Sequence, residues 1–205
     1  MARKHRENQA GGVYHVFARG NDRELIYRDE VDRRIYLARL EKAVLRFGWR
    51  QLAYCLMNNH VHLLVETPAA NLSEGMRSLH SGYAQAFNLR HGRVGHVFQG
   101  RYGAVLMSRD AQVCAAAAYI ARNPVEAGLC RSPEQWPWSS YPLILRQRVP
   151  VWLDAARLIS FFDERAIPGR YRYLEMGGRE RPQEPKEGLT PYAFTSDPHA
   201  ARHAK

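Results

Sequence analysis

Residues 51–66 read Gln51-Leu52-Ala53-Tyr54-Cys55-Leu56-Met57-Asn58-Asn59-His60-Val61-His62-Leu63-Leu64-Val65-Glu66. Two runs rich in apolar and aromatic residues, Gln51–Met57 and His60–Glu66, flank a pair of asparagines. Asparagine tolerates the positive φ of a tight turn, so the stretch predicts a β-hairpin turning at Asn58-Asn59. Strand side chains alternate with a period of two, so His60 and His62 share one face while Val61 points to the other. Along a strand their Cα atoms are about 6.5–7 Å apart, close enough for both imidazoles to reach one metal ion. A strand that is apolar on one side and carries histidines on the other belongs to a sheet whose second face holds a site.

Working outward, Tyr14–Phe17 reads as a strand after the Gly11-Gly12 break, and Arg19-Gly20-Asn21-Asp22 as a loop. Between Asp29 and Phe47, Val31, Ile35, Leu40, Val44 and Phe47 recur at helical spacing, with Gly48 placed to end the helix. Downstream of the hairpin, Asn71-Leu72-Ser73-Glu74 has the form of a capped helix start. Leu72, Met76, Leu79, Tyr83 and Phe87 form the apolar stripe of that helix, and His91-Gly92 its end. Val97–Met107 predicts a fourth strand. Ser108-Arg109-Asp110 then opens a third helix, which Pro124 is expected to stop at Asn123 by disfavouring α-conformation at the preceding residue. The order strand, helix, strand, strand, helix, strand, helix predicts an α+β fold. It is a ferredoxin-like or RRM-like palm, an antiparallel sheet with helices on one face and the histidine pair on a central strand.

The 205 residues carry 30 Lys+Arg against 20 Asp+Glu, a net charge of +10. Residues 1–149 hold 21 cations against 12 anions, and residues 150–205 hold 9 against 8, so the excess lies in the part expected to fold. Such an excess favours a polyanionic partner through phosphate attraction and counterion release. Only Lys4, Lys42, Lys186 and Lys205 are lysines; the arginines can grip phosphate oxygens with two donors and stack on bases. The charged start lacks a signal-peptide core, no stretch is long and apolar enough to span a membrane, and the three cysteines form no CxxC pair. A cytoplasmic protein without a membrane partner is expected. No GxxxxGK[ST] phosphate loop is present.

The third helix offers partners for the histidines. Tyr119 and Asn123 are four apart and share a helical face, and the small residues 115–118 let the helix lie close to whatever Tyr119 faces. An amide oxygen is a competent ligand for a hard divalent ion. The same spacing also suits a boundary tyrosine and a helix C-cap.

Residues 57–65 and 119–128 together resemble the single-tyrosine HUH transposases (IS200-like), most closely their branch associated with repetitive extragenic palindromes, the REP-associated tyrosine transposases. Further matches are Tyr14-His15-Val16 with Arg19-Gly20-Asn21, residues 95–102 (GHVFQGRY) and residues 136–141 (WPWSSY). The resemblance implies a DNA transposase: a metal-dependent single-strand endonuclease and strand transferase acting on hairpin-bearing single-stranded DNA. It implies that His60, His62 and Asn123 hold Mg²⁺ or Mn²⁺. Tyr119 would be the nucleophile that forms a 5′-phosphotyrosine. Asn123 stands where the family often has glutamine, one methylene longer. Imidazole chemistry by itself also admits Zn²⁺.

Arg19, Arg23, Arg77, Arg93, Arg101 and Arg122 lie near the motifs and are candidates for DNA contact, while Glu66 is a candidate to orient a ligand. His15, His80 and His96 are placed outside the metal site. Tyr83, in the apolar stripe, is expected in the core. The expected organisation is a basic arm (1–10), a catalytic domain (11–148), a short helical extension (149–176, with a helix near 153–162) and a disordered tail (177–205). Monomer and homodimer are both compatible with the sequence. The competing reading is an RRM-like module that binds structured DNA or RNA without cutting it.

Overall fold

The computed structural model describes residues 9–163 and 169–178; residues 1–8 of the basic arm and 179–205 of the tail lie outside the described residues. Strand β1 (Gly12–Arg19) leads through a 3-10 turn at Asn21–Arg23 into helix α1 (Glu30–Phe47). Strands β2 (Arg50–Leu56) and β3 (His60–Thr67) form the hairpin, followed by helix α2 (Leu72–His91), strand β4 (Gly103–Met107) and helix α3 (Asp110–Glu126). The sheet is antiparallel with order β2-β3-β1-β4, so β3 and β1 occupy the centre. This is the ferredoxin-like arrangement expected of the element order, with the histidines on a central strand.

Each of the two long helices ends where a left-handed residue is needed. Gly48 (φ 65°) and Gly92 (φ 59°) take that conformation at the C-caps of α1 and α2. Asp29 caps α1 by accepting from the Asp32 amide (3.0 Å). Asn71 does not cap α2 with its side chain as the sequence pattern suggests. It accepts from Trp49 Nε1 (2.8 Å) and donates to the Phe47 carbonyl (2.8 Å), tying the end of α1 to the start of α2. One sheet face carries Tyr14, Val16, Leu63 and Val65, at most 2% exposed, and these share one continuous core with Tyr36, Leu40, Met76, Leu79 and Tyr83 of α1 and α2. Helix α3 lies over the other face, where the histidines are.

Three sequence expectations change in detail. The fourth strand is shorter than Val97–Met107. Because β1 ends at Arg19, residues 97–99 find only a single bridge (Gly20 with Phe98) and bonds from the Asn21 amide to Val97 O and from the Gln99 amide to Arg19 O. Helix α3 runs past Pro124 to Glu126. The carbonyls of Asn123, Pro124 and Val125 receive the amides of Ala127, Leu129 and Gly128, so the turn continues although Pro124 has no amide hydrogen to give. The hairpin turns at Asn58-Asn59, but neither asparagine takes a positive φ. Their groups bind the chain that follows β1 instead. The Asn58 and Asn59 carbonyls accept from the Ile26 and Gly20 amides, and Asn58 Oδ1 accepts from Arg33 (2.8 Å).

Beyond α3 the described residues form three α-helices: α4 (Tyr141–Leu145), α5 (Ala155–Ser160) and α6 (Gly169–Gly178). The helix expected near 153–162 is α5, capped by Asp154 accepting from the Arg157 amide (3.0 Å). Helix α6 packs on α3, where Arg122 donates to the Met176 carbonyl (2.7 Å), and on α4, where the Tyr141 hydroxyl donates to the Leu174 carbonyl (2.9 Å). Among the described residues no helix is long and apolar enough to cross a membrane.

Candidate active site

Antiparallel register decides what shares the histidine face. Arg19 pairs with His60 and Phe17 with His62, so both β1 residues face the same way as the two imidazoles. His15, two residues back on β1, joins them. Phe17 lies over Gly103 of β4; a Cβ at Gly103 would come within 2.2 Å of the Phe17 ring, so only glycine permits this approach. Small residues at Ala116, Ala117, Ala118 and Ala121, each buried, seat α3 against the core. The Tyr119 ring then meets His62 edge-on at 5.4 Å between centroids and His15 at 5.9 Å.

Four elements of the predicted site therefore converge. His60 and His62 lie with ring centroids 5.1 Å apart. His60 Nε2 is 3.3 Å from Asn123 Oδ1, and Tyr119 stands one helical turn before Asn123 on the same face. The hairpin turn orients His60. Asn59 Nδ2 donates to the Arg23 carbonyl (3.0 Å), which directs Asn59 Oδ1 toward His60 Nδ1 at 2.8 Å. Amide oxygens thus face both nitrogens of His60, and a neutral ring donates to one of them; when Nδ1 donates to Asn59, Nε2 keeps its lone pair on the Asn123 side. In that tautomer a nitrogen and an oxygen lone pair meet, an arrangement that suits a cation, and in the other Nε2 donates to Asn123.

Burial favours neutral imidazoles throughout. It lowers the pKa of His60 to about 4, opposed by the bond to Asn123 and aided by the charge of Arg19. It lowers His15 to about 4, and His62 well below its ordinary value, where His15, His60 and Arg19 add to the effect. Neutral imidazole is the metal-binding form. Burial and neighbouring Arg23 lower the pKa of Arg19, and Tyr119 opposes them, which places the guanidinium within electrostatic reach of the phenol.

Two neutral imidazoles and an amide oxygen form a donor set that a divalent cation fits. Among the described residues no group of three or more His, Cys, Asp or Glu side chains is arranged to hold a metal, so Asn123 is the further protein donor at hand.

The remaining candidates separate. Arg77 and Arg101 are exposed. Arg93 pairs with Glu24 (2.8 Å), and Arg122, besides its bond to Met176, pairs with Glu126 (3.6 Å). Glu66 lies at the far end of β3, where Arg157 (2.7 Å) and Arg50 (3.7 Å) hold it. The Tyr83 hydroxyl donates to the Ile26 carbonyl inside the core. His80 stacks on Phe98 (4.2 Å), away from the pair. Of the three histidines placed outside the metal site, His15 lies against it. It is 2% exposed, with Nε2 3.0 Å from His62 Nδ1. Strand alternation and pairing of β1 beside β3 were the signal for it.

Comparison with known proteins bears on the fold and the family. No curated protein matches the chain. Among solved structures the chain is similar to a REP-associated tyrosine transposase bound to a REP hairpin, with TM-score 0.62 and 17% identity over 74% of this chain and 90% of that one. A candidate transposase from Deinococcus radiodurans R1 matches at TM-score 0.41 and 19% identity, over 54% of this chain and 90% of that one. At these identities the first likeness speaks for the fold. The family model for IS200-like transposases matches residues 9–123, a span that opens just before β1 and closes on Asn123. The chain belongs to the IS200-like transposase family.

Proposed function

We propose that this transposase cuts and rejoins hairpin-bearing single-stranded DNA through a covalent phosphotyrosine at Tyr119. The observation that supports it most is the meeting of His60 Nε2 with Asn123 Oδ1 at 3.3 Å, on the helix whose Tyr119 ring rests against His62. Residues 63 positions apart in sequence are thereby gathered around one point. A bound Mg²⁺ or Mn²⁺ would polarise the scissile phosphate and offset charge in the transition state.

Tyr119 Oη attacks phosphorus and loses its proton. The bond from phosphorus to the leaving 3′ oxygen breaks, and that oxygen departs as a 3′-OH. One phosphodiester replaces another of similar energy, so the strand can be resealed by the reverse attack without ATP. A phenol with pKa near 10 is ionised in only about one molecule per thousand at neutral pH. The guanidinium of Arg19 lies within electrostatic reach of Tyr119, beside the phosphate that the phenol would attack. Arg19 and the exposed Arg101 and Arg77 are our assignment for phosphate contact. We take the extension through α6 as part of the catalytic unit, since it braces the helix of Tyr119, and expect the protein to work beside the chromosome in the cytoplasm.

The test is a denaturing gel for a protein–DNA adduct, using single-stranded hairpin DNA from the gene's own flanks with Mn²⁺. Wild type should form the adduct and Tyr119→Phe none. An adduct that survives Tyr119→Phe refutes the nucleophile. Metal-independent binding without cleavage under any divalent ion would favour the non-cutting binder.

A further inference from the structure

The histidine pair must present lone pairs to a cation, and a neutral imidazole has only one nitrogen free to do so. For His60 the tautomer that leaves Nε2 free is the one in which Nδ1 donates to Asn59 Oδ1, 2.8 Å away. For His62 the group in the corresponding place is another imidazole. His15 Nε2 lies 3.0 Å from His62 Nδ1, with both rings at most 2% exposed and their centroids 5.1 Å apart. A single hydrogen lies between these two nitrogens. If His15 donates it, His62 carries its own hydrogen on Nε2 and cannot ligate through that atom. If His62 donates it, Nε2 is free.

We propose that His15 is a positioning residue that accepts the Nδ1 hydrogen of His62 and so holds His62 in the tautomer whose Nε2 can bind the divalent cation. The inference rests on the metal-site reading above and assigns His15 no contact with metal or substrate. Both members of the pair then have a backing acceptor: a turn amide behind His60 and a neighbouring-strand imidazole behind His62. Such partners of metal-bound histidines fix ring orientation and raise ligand basicity, and their loss costs about 10- to 100-fold in metal affinity. The β1–β3 register supplies the alignment, because His15 sits diagonally from His62 on the same face.

Mn²⁺ affinity measured by electron paramagnetic resonance on the full chain, without DNA, tests this. His15→Phe fills the space but cannot accept, and should bind Mn²⁺ at least about 10-fold more weakly. His15→Gln, whose amide oxygen can accept, should stay within a few-fold of wild type. Thermal melts of both variants report folding. Equal Mn²⁺ affinity in wild type and a folded His15→Phe overturns the role of His15 while leaving the metal site intact. Failure of wild type itself to bind Mn²⁺ overturns the metal reading and this inference with it. Should His15→Phe not fold, imidazole ¹⁵N shifts of metal-free wild type decide. A hydrogen on His62 Nδ1 supports the proposal, and one on Nε2 overturns it alone.

Discussion

Acid should unfold this protein while its carboxylates are still ionised. Three histidines set the size of the effect. His15 lies against His62 and Tyr119, and His60 against Asn123, Arg19 and His62. His80 stacks on Phe98 with Nε2 3.3 Å from the Tyr36 hydroxyl. Burial lowers their pKa values from 6.5 to about 4, about 4 and about 3. The unfolded chain therefore takes up protons first. Stability is undiminished above pH 6.5 and falls as pH drops, until the folded imidazoles titrate, near pH 4 for His15 and His60 and near pH 3 for His80. At pH 5 each histidine costs about 2 kcal/mol, from about 1.4 kcal/mol per pH unit over about 1.5 units. The three together approach about 6 kcal/mol, a large share of the roughly 5–15 kcal/mol that stabilises a typical domain. Urea unfolding in EDTA at pH 7.5 and 5.0 measures this, and His80→Gln should recover about 2 kcal/mol of the loss. Equal urea midpoints for wild type at the two pH values would refute the reasoning.

Two further tests bear on packing and on DNA contact. Gly75→Ala on α2 drives a Cβ to 2.1 Å from the Trp49 ring, so urea unfolding should show a loss of about 1–3 kcal/mol or more. Arg101→Ala should leave the urea midpoint unchanged and reduce the slope of log K against log salt for single-stranded DNA by about 0.7. Arg122→Ala, which removes the bond to the Met176 carbonyl, should instead lower stability by about 1–2 kcal/mol with little change in that slope.

The sheet was legible in the sequence because its signals are local. The alternation around His60-Val61-His62 and the stops at Gly48 and Gly92 each need only neighbouring residues. The link between His60 and Asn123 is not local, and the resemblance of residues 57–65 and 119–128 to one family supplied it. His15 was placed outside the metal site, and its contact with His62 was not legible because strand register sets it, which the sequence of β1 alone does not contain. Pro124 misled because its penalty falls on a helix interior, and the last turn of α3 finds amides elsewhere. Asn58 and Asn59 were read for their φ tolerance, whereas the fold uses their amides and carbonyls to clasp the loop after β1. Arg122 and Arg93 show the weakness of reading charge without partners, since both find acceptors within the chain.

Strand β3 is paired on both sides, to β1 along its whole length and to β2 along most of it. Exchange of its amide hydrogens with solvent requires the centre of the sheet to part, an event close to global unfolding. The His60–His62 segment thus belongs to the last region of the molecule to open, and partial loosening of the outer helices leaves the imidazoles aligned. Tyr119 has no such ladder around it. Gentle heating would therefore withdraw the nucleophile first, and chain and site would fail at different temperatures.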